Sequence, residues 1–265
     1  MKGLVRWLVC IPLSLEVTEG RSEVWVQRGP PPQLIELFTS EGCSSCPPAD
    51  TRLAGLLHDP ELWRKRLPVA YHVDYWDYLG WRDPLADPQH AQRQRMLYRQ
   101  GKLRSVYTPG WLVDGQEWRG FFRGQEWPPQ PRRAGGELSV SVEQRQLQVR
   151  YQDRDNRALR AHAVLLGFDI ESAVGAGENA GRLLRHQFVA LQVLRADGQY
   201  QWRFDLQPPS GRREAVVVWG LATRQCTAVA GAGRVAGRSP ALKRARARQH
   251  PAEGPFGIIL MSLSS

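Results

Sequence analysis

Long apolar runs are absent from this sequence. No stretch of eighteen consecutive apolar residues occurs in its 265 residues, which excludes an ordinary membrane-spanning helix within it. Internal repeats are absent as well. Charged residues make up 23% of the chain and hydrophobic residues 42%, which is the composition of an ordinary globular protein. The length allows one large domain or two modest ones.

A concentrated basic region is also missing from the body of the chain. The 36 Lys and Arg residues outnumber the 26 Asp and Glu residues, which gives a net charge of +10. Half of this excess lies in the last 32 residues, which carry six basic residues and one acidic residue. The remaining chain is only mildly basic, so its composition does not support a nucleic-acid-binding face.

The N-terminus has features of a short export signal. Lys2 and Arg6 precede an apolar run from Trp7 to Leu15, which is about as long as the apolar part of a signal peptide. Pro12 interrupts the run and no clean cleavage site follows, so an unstructured start is the alternative. We predict that residues 1–32 form a leader and a proline-rich lead-in, and that the protein is periplasmic or secreted.

Residues 33–126 alternate between strand and helix patterns. Buried strands are predicted at Gln33–Thr39 and Leu67–Val73, and helices follow each of them. Asp87 and Pro88 have the N-cap and first-turn preferences of a helix that runs to about Gln100. A further strand, Gly110–Val113, leads into the turn residues Asp114-Gly115. Alternating strands and helices followed by a hairpin favour a mixed sheet flanked by helices.

The second half of the chain has a different pattern. Residues 127–136 are rich in Pro and Gly and are predicted to be a linker. Residues 137–230 show alternating apolar positions, with a hairpin predicted at Asp197-Gly198, and contain six or seven short strands without a convincing helix. This predicts a β-rich, sandwich-like module. Residues 231–265 form a basic tail that we expect to be disordered.

Cys43 and Cys46 form the sharpest motif of the chain. Two cysteines separated by two residues, after an apolar strand and at the start of a helix, are typical of a dithiol redox site. The helix N-terminus stabilises a thiolate, which attacks disulfides, and the second cysteine resolves the mixed disulfide. The same pair could instead bind a thiophilic metal or form an inert disulfide.

Several segments together resemble a known but uncharacterised family. The segments ELFTSEGCSSCPPAD (36–50), YHVDYWDYLGWRDP (71–84), VYTP (106–109) and GENAGRLLRH (177–186) look like those of exported bacterial thioredoxin-like proteins, a domain of unknown function within the thioredoxin superfamily. The likeness covers the chain from about Gln33 to Ala230. It implies an α/β thioredoxin-like N-terminal domain and export, but no established reaction.

The resemblance also implies further site residues. By it, the Thr108–Pro109 peptide bond is cis and faces the dithiol, and Thr108 presents its backbone to an incoming sulfur or peptide. Two departures weaken the similarity to working thioredoxins. Leu37 stands where thioredoxins have a buried acid, with Glu36 on the other strand face, and Gly42 replaces the usual tryptophan before the first cysteine. Since proline does not fit a helix interior, Pro48 predicts a helix that starts near Ser45 or Cys46 and leaves Cys43 outside it.

Other residues are weaker candidates. His72 could complete a copper or zinc site with Cys43 and Cys46, or it could be a partly buried strand histidine with a hydrogen-bonded ring. The aromatic residues of segment 71–81 could line a substrate groove or pack against the sheet. Asn179, Arg182 and His186 could approach the dithiol, and turn hydrogen bonding explains them equally well.

Two further features are set aside. Residues 175–180 match a dinucleotide-binding fingerprint, but a strand pattern follows instead of a helix, so NAD and FAD are rejected and no cofactor is expected. Cys226 is expected to be a buried small hydrophobe, and Cys10 lies within the predicted leader.

The sequence thus predicts an exported thiol–disulfide oxidoreductase with Cys43, Cys46, Thr108 and Pro109 at its site. Its partner would be a protein or small-molecule thiol or disulfide, with no nucleic acid and no stable membrane span. The alternatives are a copper- or zinc-binding or delivery protein that uses the same cysteines, and a non-catalytic binding module with a structural disulfide. The oligomeric state and the direction of electron flow are left open.

Overall fold

The fold is taken from a computed structural model, which describes residues 23–130, 135–152, 159–208, 210–222 and 260–263. Most of the predicted leader, including Cys10, lies outside the described residues. So do Cys226 and most of the predicted basic tail. Among the described residues, no helix is both long enough and apolar enough to cross a membrane.

The regular structure consists mainly of strands. The strands are β1 (Glu23–Arg28), β2 (Gln33–Thr39), β3 (Arg66–His72), β4 (Gly110–Val113), β5 (Gln116–Glu117), β6 (Glu137–Glu143), β7 (Gln146–Gln152), β8 (Leu159–Gly167), β9 (Ile170–Ala173), β10 (Leu183–His186), β11 (Val189–Gly198), β12 (Gln201–Asp205), β13 (Glu214–Ala222) and β14 (Leu260–Leu263). The helices of the described chain are α1 (Pro47–Ala54), α2 (Pro88–Arg99) and the 3-10 turns Gly55–His58, Asp77–Leu79 and Gly120–Arg123.

The predicted fold class is wrong. The described residues form fourteen strands but only two α-helices, so the chain is mostly β-sheet and not a helix-flanked α/β thioredoxin-like domain followed by a separate β-rich module. Strands from both halves instead join one eight-stranded sheet, in the order β14-β13-β8-β11-β3-β2-β4-β5. The junction is the parallel pairing of Val189 with Ala70, where Ala70 N donates to Phe188 O at 2.8 Å. The domain bounds 33–126 and 137–230 stay a prediction, and the sheet runs across both.

A second, antiparallel sheet has the order β1-β6-β7-β12. The hairpin predicted at Asp197-Gly198 does not form as a ladder, because β11 pairs with β8 while β12 pairs with β7 in the other sheet. The chain therefore changes sheets at this turn. Strands β9 and β10 form a separate two-stranded ribbon next to the large sheet.

Two apolar cores lie on opposite faces of β8 and β13. Ala163 and Leu165 of β8 belong to the core shared with β6, β7 and β12, whereas Val164 and Leu166 belong to the core beneath α1 and α2. Since successive strand residues point to opposite faces, these strands are apolar on both sides. This explains why Ala161–Ile170 is a nearly continuous apolar run in the sequence.

Local elements of the first half follow the sequence closely. Strand β2 has the predicted bounds, and α2 begins after Asp87, whose Oδ1 accepts from Gln89 N at 2.8 Å. Asp114 and Gly115 both have positive φ, +52° and +72°, which suits a tight hairpin turn. The returning strand β5 is only two residues long, and the chain then enters a 3-10 turn.

The sheet sets the position of the dithiol. Strands β2 and β3 are parallel and their last residues, Thr39 and His72, are register partners. The loop that carries Cys43 and Cys46 leaves this edge of the sheet directly after Thr39. The residues that follow parallel strands therefore gather at this edge, as is usual for binding sites in such sheets.

Candidate dithiol site

The two cysteines are buried at the start of α1. Both are free thiols with 0% of their surface exposed, while Ser44 and Ser45 between them are exposed. Cys46 N donates to Cys43 O at 3.1 Å, which closes the turn between the two residues. Cys46 occupies the N-cap position, so Cys43 lies outside the helix as the prolines predicted.

The prolines change which donors the helix offers. Pro47 and Pro48 fill its first two positions, where they have no N–H to donate. The next two N–H groups, of Ala49 and Asp50, both donate to Cys46 O at 2.8 and 3.0 Å. The helix N-terminus therefore leaves few N–H groups that could donate to a thiolate at Cys43. Hydrogen bonds to this thiolate have to come from other donors.

Those donors come from the loop and from Thr108. Hydrogen bonds from the Cys46 thiol, the Ser45 and Thr108 hydroxyls and the Ser45 backbone outweigh burial and lower the pKa of Cys43 to about 6. The Ser45 Oγ to Cys43 Sγ distance is 3.2 Å. Burial and the neighbouring Cys43 raise the pKa of Cys46 instead. The two thiols thus have opposite acid–base characters although only two residues separate them.

Thr108 and Pro109 approach the dithiol from the loop before β4. The Thr108–Pro109 peptide bond is cis, as expected from the sequence, and Pro109 is buried. The Thr108 hydroxyl lowers the pKa of both thiols and accepts a 2.7 Å hydrogen bond from Trp76 Nε1. The structure therefore brings Cys43, Cys46 and Thr108 together.

Trp76 also lies against the residue before the first cysteine. A Cβ atom at Gly42 would lie 3.0 Å from Trp76 Cβ, so this position has no room for a side chain unless Trp76 shifts. Tyr75, the preceding residue, interacts with Cys46 and Thr108 and donates to Gln94 Oε1 at 3.1 Å. Part of the aromatic segment 71–81 therefore borders the dithiol.

Glu41 is the centre of a buried polar cluster behind the dithiol loop. Its Oε2 accepts from Trp81 Nε1 at 2.7 Å and from Ser172 Oγ at 3.0 Å, and its Oε1 lies 3.0 Å from His186 Nε2. The Glu41 side chain is fully buried. No local sequence pattern indicates this role of Glu41, because its partners are up to 145 residues away in the chain.

His72 belongs to the same cluster. Its Nδ1 lies 2.8 Å from Asp83 Oδ2, and its ring meets that of His186 edge to face with a centroid distance of 4.7 Å. Burial lowers the pKa of His72, but the surrounding carboxylates, chiefly Asp83, outweigh it, so the pKa is raised. Within the described residues, no group of three or more His, Cys, Asp or Glu side chains is arranged to hold a metal ion.

Asp50 is the acidic group next to Cys46. Its Oδ2 accepts from Thr39 Oγ1 at 3.1 Å, and its charge is one of the causes that raise the pKa of Cys46. Asp50 was not among the residues predicted for the site, although its position one helical turn after Cys46 was a usable signal. On β2, Leu37 is buried in the apolar core and Glu36 is buried against Arg93.

The segment between β9 and β10 covers the dithiol loop. Asn179 Nδ2 donates to Glu41 O at 2.8 Å and to Cys43 O at 3.0 Å, and Arg182 Nη1 donates to Asn179 Oδ1 at 2.7 Å. Ser44 N donates to Glu178 Oε2 at 2.8 Å. Of the three residues considered, Asn179 therefore contacts the dithiol loop at Cys43, whereas Arg182 bonds Asn179 within the turn and His186 bonds Glu41. Glu178 is a further contact of the loop.

The chain matches a family of known sequences over most of its length. Residues 34–219 match the family described as "Protein of unknown function (DUF1223)", and the chain belongs to this family. This confirms the expected membership of an uncharacterised family. No curated protein matches the chain.

Two solved structures are similar to the chain. Protein AGR_C_4864 from Agrobacterium tumefaciens is 21% identical, with a TM-score of 0.49, and the match covers 71% of this chain and 84% of that one. HBP35 of Porphyromonas gingivalis is 14% identical, with a TM-score of 0.44, and the match covers 89% of this chain and 86% of that one. Neither likeness is close enough to carry a functional argument.

Proposed function

We propose that the protein is a thiol–disulfide oxidoreductase in which Cys43 is the attacking thiol and Cys46 the resolving thiol. The observation that carries this proposal is the arrangement of two adjacent free thiols, in which Cys43 accepts hydrogen bonds from Cys46, Ser45 and Thr108. Such donors stabilise the thiolate, which is the reactive form in disulfide exchange.

The proposed reaction is a two-electron exchange. The Cys43 thiolate attacks one sulfur of a substrate disulfide and forms a mixed disulfide, and the other substrate sulfur leaves as a thiolate. Cys46 then loses its proton and attacks Cys43 Sγ, which forms the Cys43–Cys46 disulfide and releases the second substrate thiolate. The substrate disulfide is reduced and the protein dithiol is oxidised, and the reverse sequence oxidises a substrate dithiol.

The unequal acidity of the two thiols supports this assignment of roles. With a pKa of about 6, Cys43 would be about nine-tenths thiolate at pH 7, whereas the raised pKa keeps Cys46 protonated until it has to act. A stabilised Cys43 thiolate also favours the reduced protein, because the disulfide form has no thiolate that the same hydrogen bonds could stabilise. We therefore expect the disulfide form to be an oxidant relative to strongly reducing dithiol proteins.

Burial of the site limits which substrates reach it. Cys43 is fully buried although Ser44 and Ser45 are exposed, and Glu178 and Asn179 contact the same loop. An incoming disulfide therefore has to displace part of this cover before it meets the sulfur. We expect reaction with small disulfides to be slower than the pKa of Cys43 alone would allow.

Export is the second part of the proposal. Lys2, Arg6 and the apolar run Trp7–Leu15 support a cleaved signal, and a periplasmic or secreted location would place the dithiol where disulfides persist. Expressing the full chain in a bacterium and sequencing the N-terminus of the protein from the periplasmic fraction tests this part. Recovery of the uncleaved chain only from the cytoplasm would contradict it.

The redox proposal is tested on the purified reduced protein. We expect alkylation of Cys43 in a Cys46→Ser variant, in which the serine hydroxyl replaces the thiol donor, to follow a pKa well below about 8.5. The reduction potential of the wild-type pair should be less negative than about −270 mV. An ordinary Cys43 pKa together with a potential below about −300 mV would mark a structural disulfide and overturn the proposal.

A further inference from the structure

Cys46 needs a partner for its proton. Burial, the neighbouring Cys43 and the Asp50 charge all raise its pKa, so a bare Cys46 thiolate is strongly disfavoured. In the reduced protein its thiol donates to the Cys43 sulfur. In the mixed disulfide, however, that sulfur is bonded to substrate and is no longer an anionic acceptor. Another group beside Cys46 therefore has to take the proton when Cys46 attacks.

Asp50 is placed to be that group. Asp50 N donates to Cys46 O at 3.0 Å, so the two residues are one helical turn apart and their side chains share a face. Thr39 Oγ1 holds the carboxylate at Oδ2. This contact ties the Asp50 side chain to the last residue of β2.

Two buried imidazoles back the carboxylate. His72 and His186 each bond one ring nitrogen to a carboxylate, of Asp83 and Glu41 respectively. Their other nitrogens, His72 Nε2 and His186 Nδ1, are buried and have no hydrogen-bond partner within the described residues. Both rings attract the Asp50 charge. Asp50 therefore interacts both with Cys46, whose proton is tightly held, and with two imidazoles that each have a ring nitrogen without a partner.

We propose that Asp50, backed by His72 and His186, accepts the proton of Cys46 when the Cys43–Cys46 disulfide forms and returns it when that disulfide opens. This inference rests on the proposed function. In the forming step, the S–H proton passes to the Asp50 carboxylate as Cys46 Sγ bonds to Cys43 Sγ. The bond from Cys43 to the substrate sulfur breaks, and the substrate leaves as a thiolate with the electron pair.

The proposal predicts a pH dependence with a defined sign. The groups that interact with Asp50 are Cys46 at the N-cap of its helix, Thr39 on β2, His72 on β3, His186 on β10 and Asp83 in the loop between β3 and α2. Burial is the largest influence and raises the pKa of Asp50, and the two imidazoles and Thr39 oppose it only in part. Since the deprotonated carboxylate acts as the base, the resolving step should accelerate as the pH rises and level off above this raised pKa.

The test is a single-turnover reaction of the reduced full chain with a small aromatic disulfide whose thiolate absorbs visible light. Attack by Cys43 releases the first thiolate, and attack by Cys46 releases the second. In Asp50→Asn we expect the first phase to be unchanged and the second to be about a hundredfold slower at pH 7. The second phase should also lose its plateau and keep rising with hydroxide concentration.

Matched variants separate this role from a structural one. Asn has the shape of Asp and can still accept from Thr39, and Asp50→Asn should unfold at the same or a higher urea concentration because it removes a partly buried charge. Asp74→Asn, the same change two residues after the end of β3, should alter neither phase. His186→Gln should move the pH midpoint of the second phase upward, because His186 lowers the pKa of Asp50.

The outcomes distinguish the two proposals. A second phase in Asp50→Asn within twofold of wild type, with the same pH profile, overturns the role of Asp50 and leaves the proposed function standing. If the wild-type protein releases no second thiolate, or releases it at the same rate as the Cys46→Ser variant, the proposed function itself is overturned.

Discussion

The protein buries two regions that are built in opposite ways. Behind the dithiol loop, the side chains of Glu41, His72, Asp83 and His186 are each at most 3% exposed and are joined by hydrogen bonds. Between the two sheets, Leu147 and Val149 belong to a core that consists almost entirely of aliphatic and aromatic side chains. The first region joins residues from distant segments of the chain, such as Glu41 and His186. The second joins strands in which the alternation of apolar and polar residues is visible in the sequence.

The difference shows what each kind of interior demands. An apolar core loses stability in proportion to the volume removed, and its members can be exchanged for others of similar size. A buried polar cluster loses more, because every group left without its partner keeps the full cost of desolvation. The apolar core should therefore support the fold, whereas the polar cluster should control both folding and the state of the dithiol.

The largest expected effect is that of Glu41→Ala. Removing this carboxylate leaves Trp81 Nε1, Ser172 Oγ and His186 Nε2 buried without their acceptor. We expect a loss of about 3–5 kcal/mol in the free energy of unfolding, measured by urea denaturation. Glu143→Ala, at the exposed last residue of β6, is the control, and a loss at Glu41 no greater than at Glu143 would contradict the description of the cluster.

Leu147→Ala tests the apolar core. Leu147 is fully buried on β7, and its truncation should cost about 3 kcal/mol. The pKa of Cys43 should stay near 6, because none of the groups whose hydrogen bonds lower it belongs to this core. The same alkylation titration checks this in the folded variant, and a clear shift of the Cys43 pKa would show that the two regions are coupled.

Ser45→Ala should change the dithiol without changing the fold. Loss of the hydroxyl that lies 3.2 Å from Cys43 Sγ should raise the pKa of Cys43 by about one unit, read from thiolate absorbance against pH. Less thiolate would then be present at pH 7. Ser44→Ala is the matched control, since Ser44 is equally exposed but bonds Glu178 instead, and equal titration curves for both variants would refute the assigned hydrogen bond.

The smallest expected effect is that of Glu178→Gln. The exposed Glu178 carboxylate accepts from Ser44 N and places a negative charge at the edge of the dithiol loop. Neutralising it should raise the alkylation rate of Cys43 with iodoacetate two- to threefold relative to neutral iodoacetamide, on the order expected for one screened charge. This change in the ratio of the two alkylation rates should disappear at high salt concentration. A ratio that does not depend on the salt concentration would indicate a steric effect instead.

Much of the local structure of the site followed from the sequence. Strand β2, helix α2 with its Asp87 cap and the hairpin turn at Asp114-Gly115 were predictable, because capping, turn geometry and apolar periodicity act between residues that are close in the chain. The dithiol and the start of α1 after Cys43 followed from the cysteine spacing and from the two prolines.

The arrangement of the sheets was decided only by tertiary structure. The parallel pairing of β11 with β3 consists of one register pair, Val189 with Ala70. This pairing joins into one sheet the strands that the sequence predicted to lie in two modules. The roles of Glu41 and Asp50 were equally hidden. Their burial depends on His186, His72 and Ser172, which reach the dithiol edge only after distant strands have paired, and no local pattern encodes which distant side chain will satisfy a buried charge.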